Sequence, residues 1–192
     1  LEEALGDGPE GSVMIAPDDM KPVFPEAKFM YDRGDPRWAQ LAHEESSDLG
    51  VELREESEAA GFPYVVDGMG DSETDKFMKK IRAAEKQGYK AKIVVVDVPT
   101  DMAHDRAIER SIQTGRSVPE AALRDAHKII SERFKEYHTE AKNWEVWSND
   151  SPNFDDRQDP KYRRVIARRV DGGEIEILDP DRYRKFLEKS DE

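Results

Sequence analysis

The sequence predicts an α/β protein: a mostly parallel sheet with helices on both faces and a small antiparallel extension near the C-terminal end. Three observations predict it. Short β-branched runs alternate with helical patterns along roughly the first 150 residues. Two of those runs, Tyr64 to Asp67 and Ala91 to Val98, are apolar almost throughout, as strands buried in a parallel sheet are. Finally, residues 163–170 and 173–178 flank Asp171-Gly172-Gly173, the chemistry of a hairpin turn. The 192 residues read as one domain, 1–192, with one core.

Taken in order, Leu1 to Leu5 reads as the last turns of a helix ending at Gly6 and Gly8. Ser12 to Ile15 is a short strand stopped by Pro17. Residues 38–60 carry Leu41, Leu49 and Leu53 at helical spacing, with Gly61 as terminator. Tyr64 to Asp67 is a buried strand. Ser72-Glu73-Thr74-Asp75 matches a capping box, followed by Phe77, Ile81 and Ala84 until Gly88. The Val-rich strand to Val98 is closed by Pro99, and Thr100 caps a helix to about Gln113. Loop 113–118 holds Gly115 and Arg116. Ser117-Val118-Pro119-Glu120 is a second capping box, opening a helix to about residue 140. Asn143 to Ser148 is a strand on which Trp144 and Trp147 point to opposite faces, so at most one enters the core. Residues 149–160 look like loop, and Asp181 to Lys189 is a terminal helix.

Composition narrows the function. The net charge is −13 with 38% charged residues, which argues against a nucleic-acid or anionic-membrane surface. A local basic cleft for a phosphorylated ligand remains compatible with it. There are no cysteines, so disulfides and thiolate metal sites are excluded, and the usage fits a reducing cytoplasm. No apolar run approaches the ~20 residues that span a bilayer.

In doubly wound sheets ligands bind at the carboxyl ends of strands, and Asp18, Asp67 and Pro99 all fall just past predicted strand ends. A carboxylate at Asp18, beside Asp19, can accept the proton of an attacking hydroxyl or hold Mg²⁺ through water; the plainer reading is turn chemistry after Pro17. Asp67 before Gly68 and Gly70 can bind a substrate hydroxyl, or simply open the next helix. Arg110 and Arg116, six residues apart around a polar loop, suit the electrophilic clamp of phosphoryl transfer; Arg110 equally suits a surface pair with Glu109. His43, Glu44, Glu45 and Ser46 do not match a standard metal site and read as a solvated helix face. His104, His127 and His138 read as structural. The five basic residues between Lys161 and Arg169 read as an ion-paired surface.

Several of these stretches, in this order, resemble the zeta-toxin-type kinases. Ile15-Ala16-Pro17-Asp18-Asp19-Met20-Lys21 with Pro25-Glu26 is similar to the family's catalytic-acid segment. His43 to Ser46 is similar to its following helix, and Val65-Val66-Asp67-Gly68-Met69-Gly70 to its strand end. Gly88-Tyr89, residues 92–100, Glu109-Arg110, Thr114 to Pro119 and Ser148-Asn149 continue the match, which covers about residues 1–150. The resemblance implies a P-loop kinase core, ATP and Mg²⁺ as cofactors, and transfer of the γ-phosphate to a sugar hydroxyl of a UDP-N-acetylglucosamine-like nucleotide sugar. It implies Asp18 as base, with Arg110 and Arg116 on the ATP phosphates. It places Asp67, Gly68, Met69 and Glu45 toward the substrate, and Asn149 toward the cofactor. Met69 stands where the family usually has threonine. An antitoxin or a larger parent assembly, for example in a phage particle, is the implied partner.

The Gly-x-x-x-x-Gly-Lys-Ser/Thr loop does not occur in the 192 residues. Leu1 to Leu5 is similar to the helix that follows it, so the central first strand and the loop are expected upstream. Two other readings are a nucleoside or nucleotide kinase and a non-catalytic, degenerate kinase domain acting as a binding or structural module.

Overall fold

The computed structural model describes residues 11–35, 37–114, 118–152, 159 and 161–191. The expected helix at Leu1 to Leu5, and Gly115, Arg116 and Ser117 of the expected loop, lie outside the described residues. The chain packs as two compact units. Among the described residues, the first holds 11–68 and 110–114, and the second holds 69–109 and 118–191.

In the first unit, strand β1 (Val13–Ile15) is followed by three short turns of helix: α1 (Pro17–Met20), a 3-10 turn (Lys21–Val23) and α2 (Pro25–Tyr31). Pro17, Pro22 and Pro25 each stand at the first or second position of their turn, where a missing N–H removes nothing. Next come α3 (Trp38–Leu41) and α4 (His43–Ala60), then β2 (Tyr64–Val66), which pairs in parallel with β1 in the register Val13↔Tyr64 to Ile15↔Val66. Gly61, at φ 72°, ends α4, and the N–H of Phe62 returns to the carbonyl of Ser57 at 3.0 Å.

Two expectations change here. The single helix over 38–60 breaks at Ala42, and Leu41 is 50% exposed. The face α4 buries is Ser46, Gly50 and Ser57, with Leu49 and Leu53 only half-buried. Close packing is the reason: a Cβ at Gly50 would lie 3.1 Å from Pro17 Cγ. The serine hydroxyls donate back to carbonyls of their own helix, Ser46 to His43 at 3.1 Å and Ser57 to Leu53 at 2.7 Å, so their burial orphans no donor. Second, β2 is not enclosed. Among the described residues it pairs with β1 alone, and Val66 is 54% exposed.

The second unit contains α5 (Thr74–Lys86), β3 (Ile93–Asp97), α6 (Thr100–Thr114, whose last turn belongs to the first unit), α7 (Glu120–Tyr137), β4 (Trp144–Asn149), β5 (Arg163–Arg169), β6 (Glu176–Ile177) and α8 (Pro180–Glu188), closed by a 3-10 turn (Lys189–Asp191). The sheet order is β3-β4-β5-β6. β3 and β4 are parallel, and β5 and β6 add the antiparallel extension that the sequence predicted. Asp171 (φ 49°) and Gly172 (φ 72°) both take positive φ, which is the demand a tight hairpin makes of Asp-Gly.

The core of this unit is aromatic. The fully buried Phe134 ring meets Trp144 at 5.0 Å, Phe186 at 5.2 Å, Tyr137 at 5.6 Å and Tyr183 at 6.3 Å, all edge-to-face. Such pairs add about 0.5–1.5 kcal/mol each beyond the area they bury. Trp144 is enclosed and donates to the His138 carbonyl at 2.8 Å. Trp147 turns to the other face and donates to Glu145 at 2.8 Å.

The capping boxes are not used as expected. α5 begins at Thr74 with Glu73 as its N-cap, and the Thr74 hydroxyl donates to Glu136 instead. α7 is preceded by Pro119, with no side-chain cap.

Candidate functional site

The first unit brings Asp18 and Asp67 to one edge. β1 and β2 run parallel, so the segments leaving their carboxyl ends are neighbours, and the N–H of Asp67 extends the ladder by donating to the Ile15 carbonyl at 2.9 Å. Asp18 and Asp19 lie in the first turn of α1 and are exposed. Lys21, one turn later, is 4% exposed and reaches back to Asp18 Oδ1 at 2.6 Å. Its stem is buried while its ammonium ends on the carboxylate.

Asp67 is exposed as a residue, yet its carboxyl is pushed above the ordinary value. Partial desolvation is the main cause, followed by the negative charges of Asp19 and Asp18; the Gly68 N–H opposes them. The three carboxylates therefore sense one another. Gly70, at φ +75°, has a conformation that requires glycine, whereas a Cβ at Gly68 would meet nothing within 4 Å. Among the described residues, none besides its chain neighbours stands within 4 Å of that position.

The other expected site residues are placed as follows. Glu45 is exposed in the first turn of α4. Met69 is 63% exposed. Arg110 is exposed on α6 and packs with the first unit. Arg116 lies outside the described residues. Asn149, at the end of β4, accepts from Arg106 Nη2 at 3.4 Å, and Arg106 also donates to the Ser151 carbonyl at 2.8 Å.

Sequence reasoning passed over a second strand-end carboxylate. Asp97 closes β3 in the second unit and is 4% exposed. Lys189 Nζ lies 2.6 Å from its Oδ1 and Arg182 Nη2 lies 3.1 Å from its Oδ2. Burial raises this carboxyl, with Lys189 first and Arg182 next pulling the other way. The signal was present, since Val95-Val96-Asp97 repeats Val65-Val66-Asp67. Lys21 was legible too, as the residue one helical turn from Asp18. Of the histidines expected to be structural, His127 Nδ1 lies 2.9 Å from Lys189 Nζ, His138 Nδ1 lies 2.9 Å from the Lys135 carbonyl oxygen and His104 Nε2 lies 3.7 Å from Glu120.

Among the described residues no group of three or more His, Asp or Glu is placed to hold a metal ion directly, and no helix is long and apolar enough to cross a membrane. The family model described as "Zeta toxin" matches residues 1–155. No curated protein matches the chain.

Proposed function

The chain belongs to the zeta toxin family, with the kinase-like function of that family, and from that premise we propose that it transfers the γ-phosphate of ATP to a sugar hydroxyl of a UDP-N-acetylglucosamine-like nucleotide sugar. The observation that carries the reading is the shared edge of Asp18 and Asp67, inside the matched stretch. Asp18 takes the proton of the acceptor hydroxyl on its carboxylate, and Lys21 fixes that carboxylate's orientation from a buried position. Asp67 grips a neighbouring sugar hydroxyl, accepting from it on its carboxylate. Arg110 and Arg116 meet the phosphates, with Asn149 near the nucleotide and Glu45 and Met69 toward the acceptor.

Mg²⁺ would be held through water by the carboxylate oxygens of Asp18, Asp19 and Asp67. Bound MgATP supplies the phosphoryl group and the cation offsets its charge.

The test is phosphotransfer by the full natural chain, followed by phosphorus NMR. Asp18→Asn keeps an acceptor for Lys21 and removes the base. The rate should fall by about 10²–10⁴ with folding unchanged. An unchanged rate removes Asp18 from this role. Transfer to nucleosides or nucleotides in place of the sugar favours a nucleotide kinase. A second reading is a non-catalytic, degenerate kinase domain acting as a binding module. Measurable MgATP affinity in the full natural chain excludes that version.

A further inference from the structure

The family match stops at residue 155, yet later residues return to the carboxyl ends of β3 and β4. Lys189, 6% exposed, bonds Asp97 at 2.6 Å, the Val98 carbonyl at 2.5 Å and His127 Nδ1 at 2.9 Å. Arg182 bonds Asp97 at 3.1 Å and Ser148 Oγ at 3.2 Å, and lies 3.7 Å from Asp150. Arg164 joins Asp150 at 3.2 Å to Asp179 at 3.1 Å, and Asp179 caps α8. From inside the matched stretch, Arg106 holds Asn149 and the Ser151 carbonyl.

Stability alone does not account for this network. A buried ion pair is often no better than apolar packing of the same volume, because both charges must be desolvated. What such a network does supply is fixed geometry. Its acceptors are the residues that end β3 and β4 and the backbone just beyond, the edge at which α/β sheets bind ligands. The residues at stake are Asp97-Val98 and Ser148 to Ser151. Lys189 seals two of them at once, since one ammonium bridges a side chain and a main-chain carbonyl.

We propose that α8 and the 3-10 turn after it form a clamp that positions the strand-end segments 97–100 and 148–151 for the nucleotide, with Lys189 and Arg182 as positioning residues. The nucleotide part of this proposal rests on the kinase reading above; the clamp itself does not.

The experiment compares the full natural chain with its Lys189→Met and Lys189→Arg variants. Hydrogen exchange is read by peptide, and affinity is read with a fluorescent ATP analogue. In Lys189→Met, exchange at 100–103 and 149–151 should rise by about tenfold or more, with Glu145 to Trp147 and the middle of α7 close to unchanged. Nucleotide affinity should fall by about tenfold. Lys189→Arg, which keeps the charge and donors, should recover most of both. A uniform rise across the core in Lys189→Met would make the residue merely structural and overturn the proposal, as would no rise at all. If the unsubstituted chain takes no nucleotide, the kinase reading fails, and the exchange pattern alone then decides the clamp. Should Lys189→Met not fold, Arg182→Gln, whose partner Asp97 keeps Lys189, is read in its place by the same criteria.

Discussion

The tripeptide Val-Val-Asp ends a parallel strand in each unit, at Asp67 and at Asp97, and the two aspartates have opposite surroundings. Asp67 is exposed, and its carboxyl is raised by partial desolvation first and by the charges of Asp19 and Asp18 second. Asp97 is buried with a cation on each oxygen. A strand-end carboxylate is therefore not in itself a functional signature. What matters is whether the protein has spent the carboxylate's hydrogen-bonding capacity internally. Asp97 is committed to holding two segments of chain together. Asp67 is exposed at the carboxyl end of β2.

The largest expected effect divides the pair. Asp97→Asn leaves Lys189 and Arg182 buried without their counter-charge and should lower unfolding free energy by about 3–5 kcal/mol. Asp67→Asn removes a charge repelled by Asp18 and Asp19 and should change stability by less than about 0.5 kcal/mol. Urea denaturation of both variants reads the contrast, and equal losses would erase it.

A middle-sized effect sharpens the contrast through pH. His127 is held down from 6.5 to about 4, by burial first and by Lys189 second. As pH falls, the unfolded chain takes up this proton before the folded one does. The contribution to stability is thus whole above pH 6.5 and is lost as pH falls toward about 4. With allowance for solvent around the partly exposed ring, that loss is ~2 kcal/mol. His127→Gln should flatten this part of the stability profile, measured as the difference between the two proteins across the window. An unchanged slope would place the titration elsewhere.

The smallest expected effect tests the edge that holds Asp18. In Gly50→Ala the new Cβ meets Pro17 Cγ at 3.1 Å, and Pro17 precedes Asp18. Helix propensity gains about 1 kcal/mol and the contact offsets it, so stability should move by less than about 1 kcal/mol. Phosphotransfer should fall by more than that stability change accounts for. A stabilised variant with full activity would show that the α1 turn tolerates displacement.

Much of the fold was legible without coordinates, and for local reasons. Pro17 and Pro99 mark strand exits, Gly61 ends a helix, and Asp171-Gly172 makes the hairpin, because each depends on backbone geometry within a few residues. The helical stretch 38–60 was read as one element because leucine spacing marks neither the break at Ala42 nor the small-residue face of α4 on which Gly50 meets Pro17. Of the site, Asp18 and Asp67 were legible as strand-end acids. Lys21 was legible only by its spacing from Asp18; its burial was not, because that depends on what closes over its stem.

By itself, the sequence determined the alternation of strands and helices, the acid at each strand end and the antiparallel hairpin, all of which follow from periodicity and turn chemistry at short range. Only the tertiary structure decided which Val-Val-Asp is sealed and which is exposed. The partners that seal Asp97 stand 85 and 92 residues away along the chain, and pairing at that separation is set by how the core packs α8 against α7 and β5, not by any preference of the residues near Asp97.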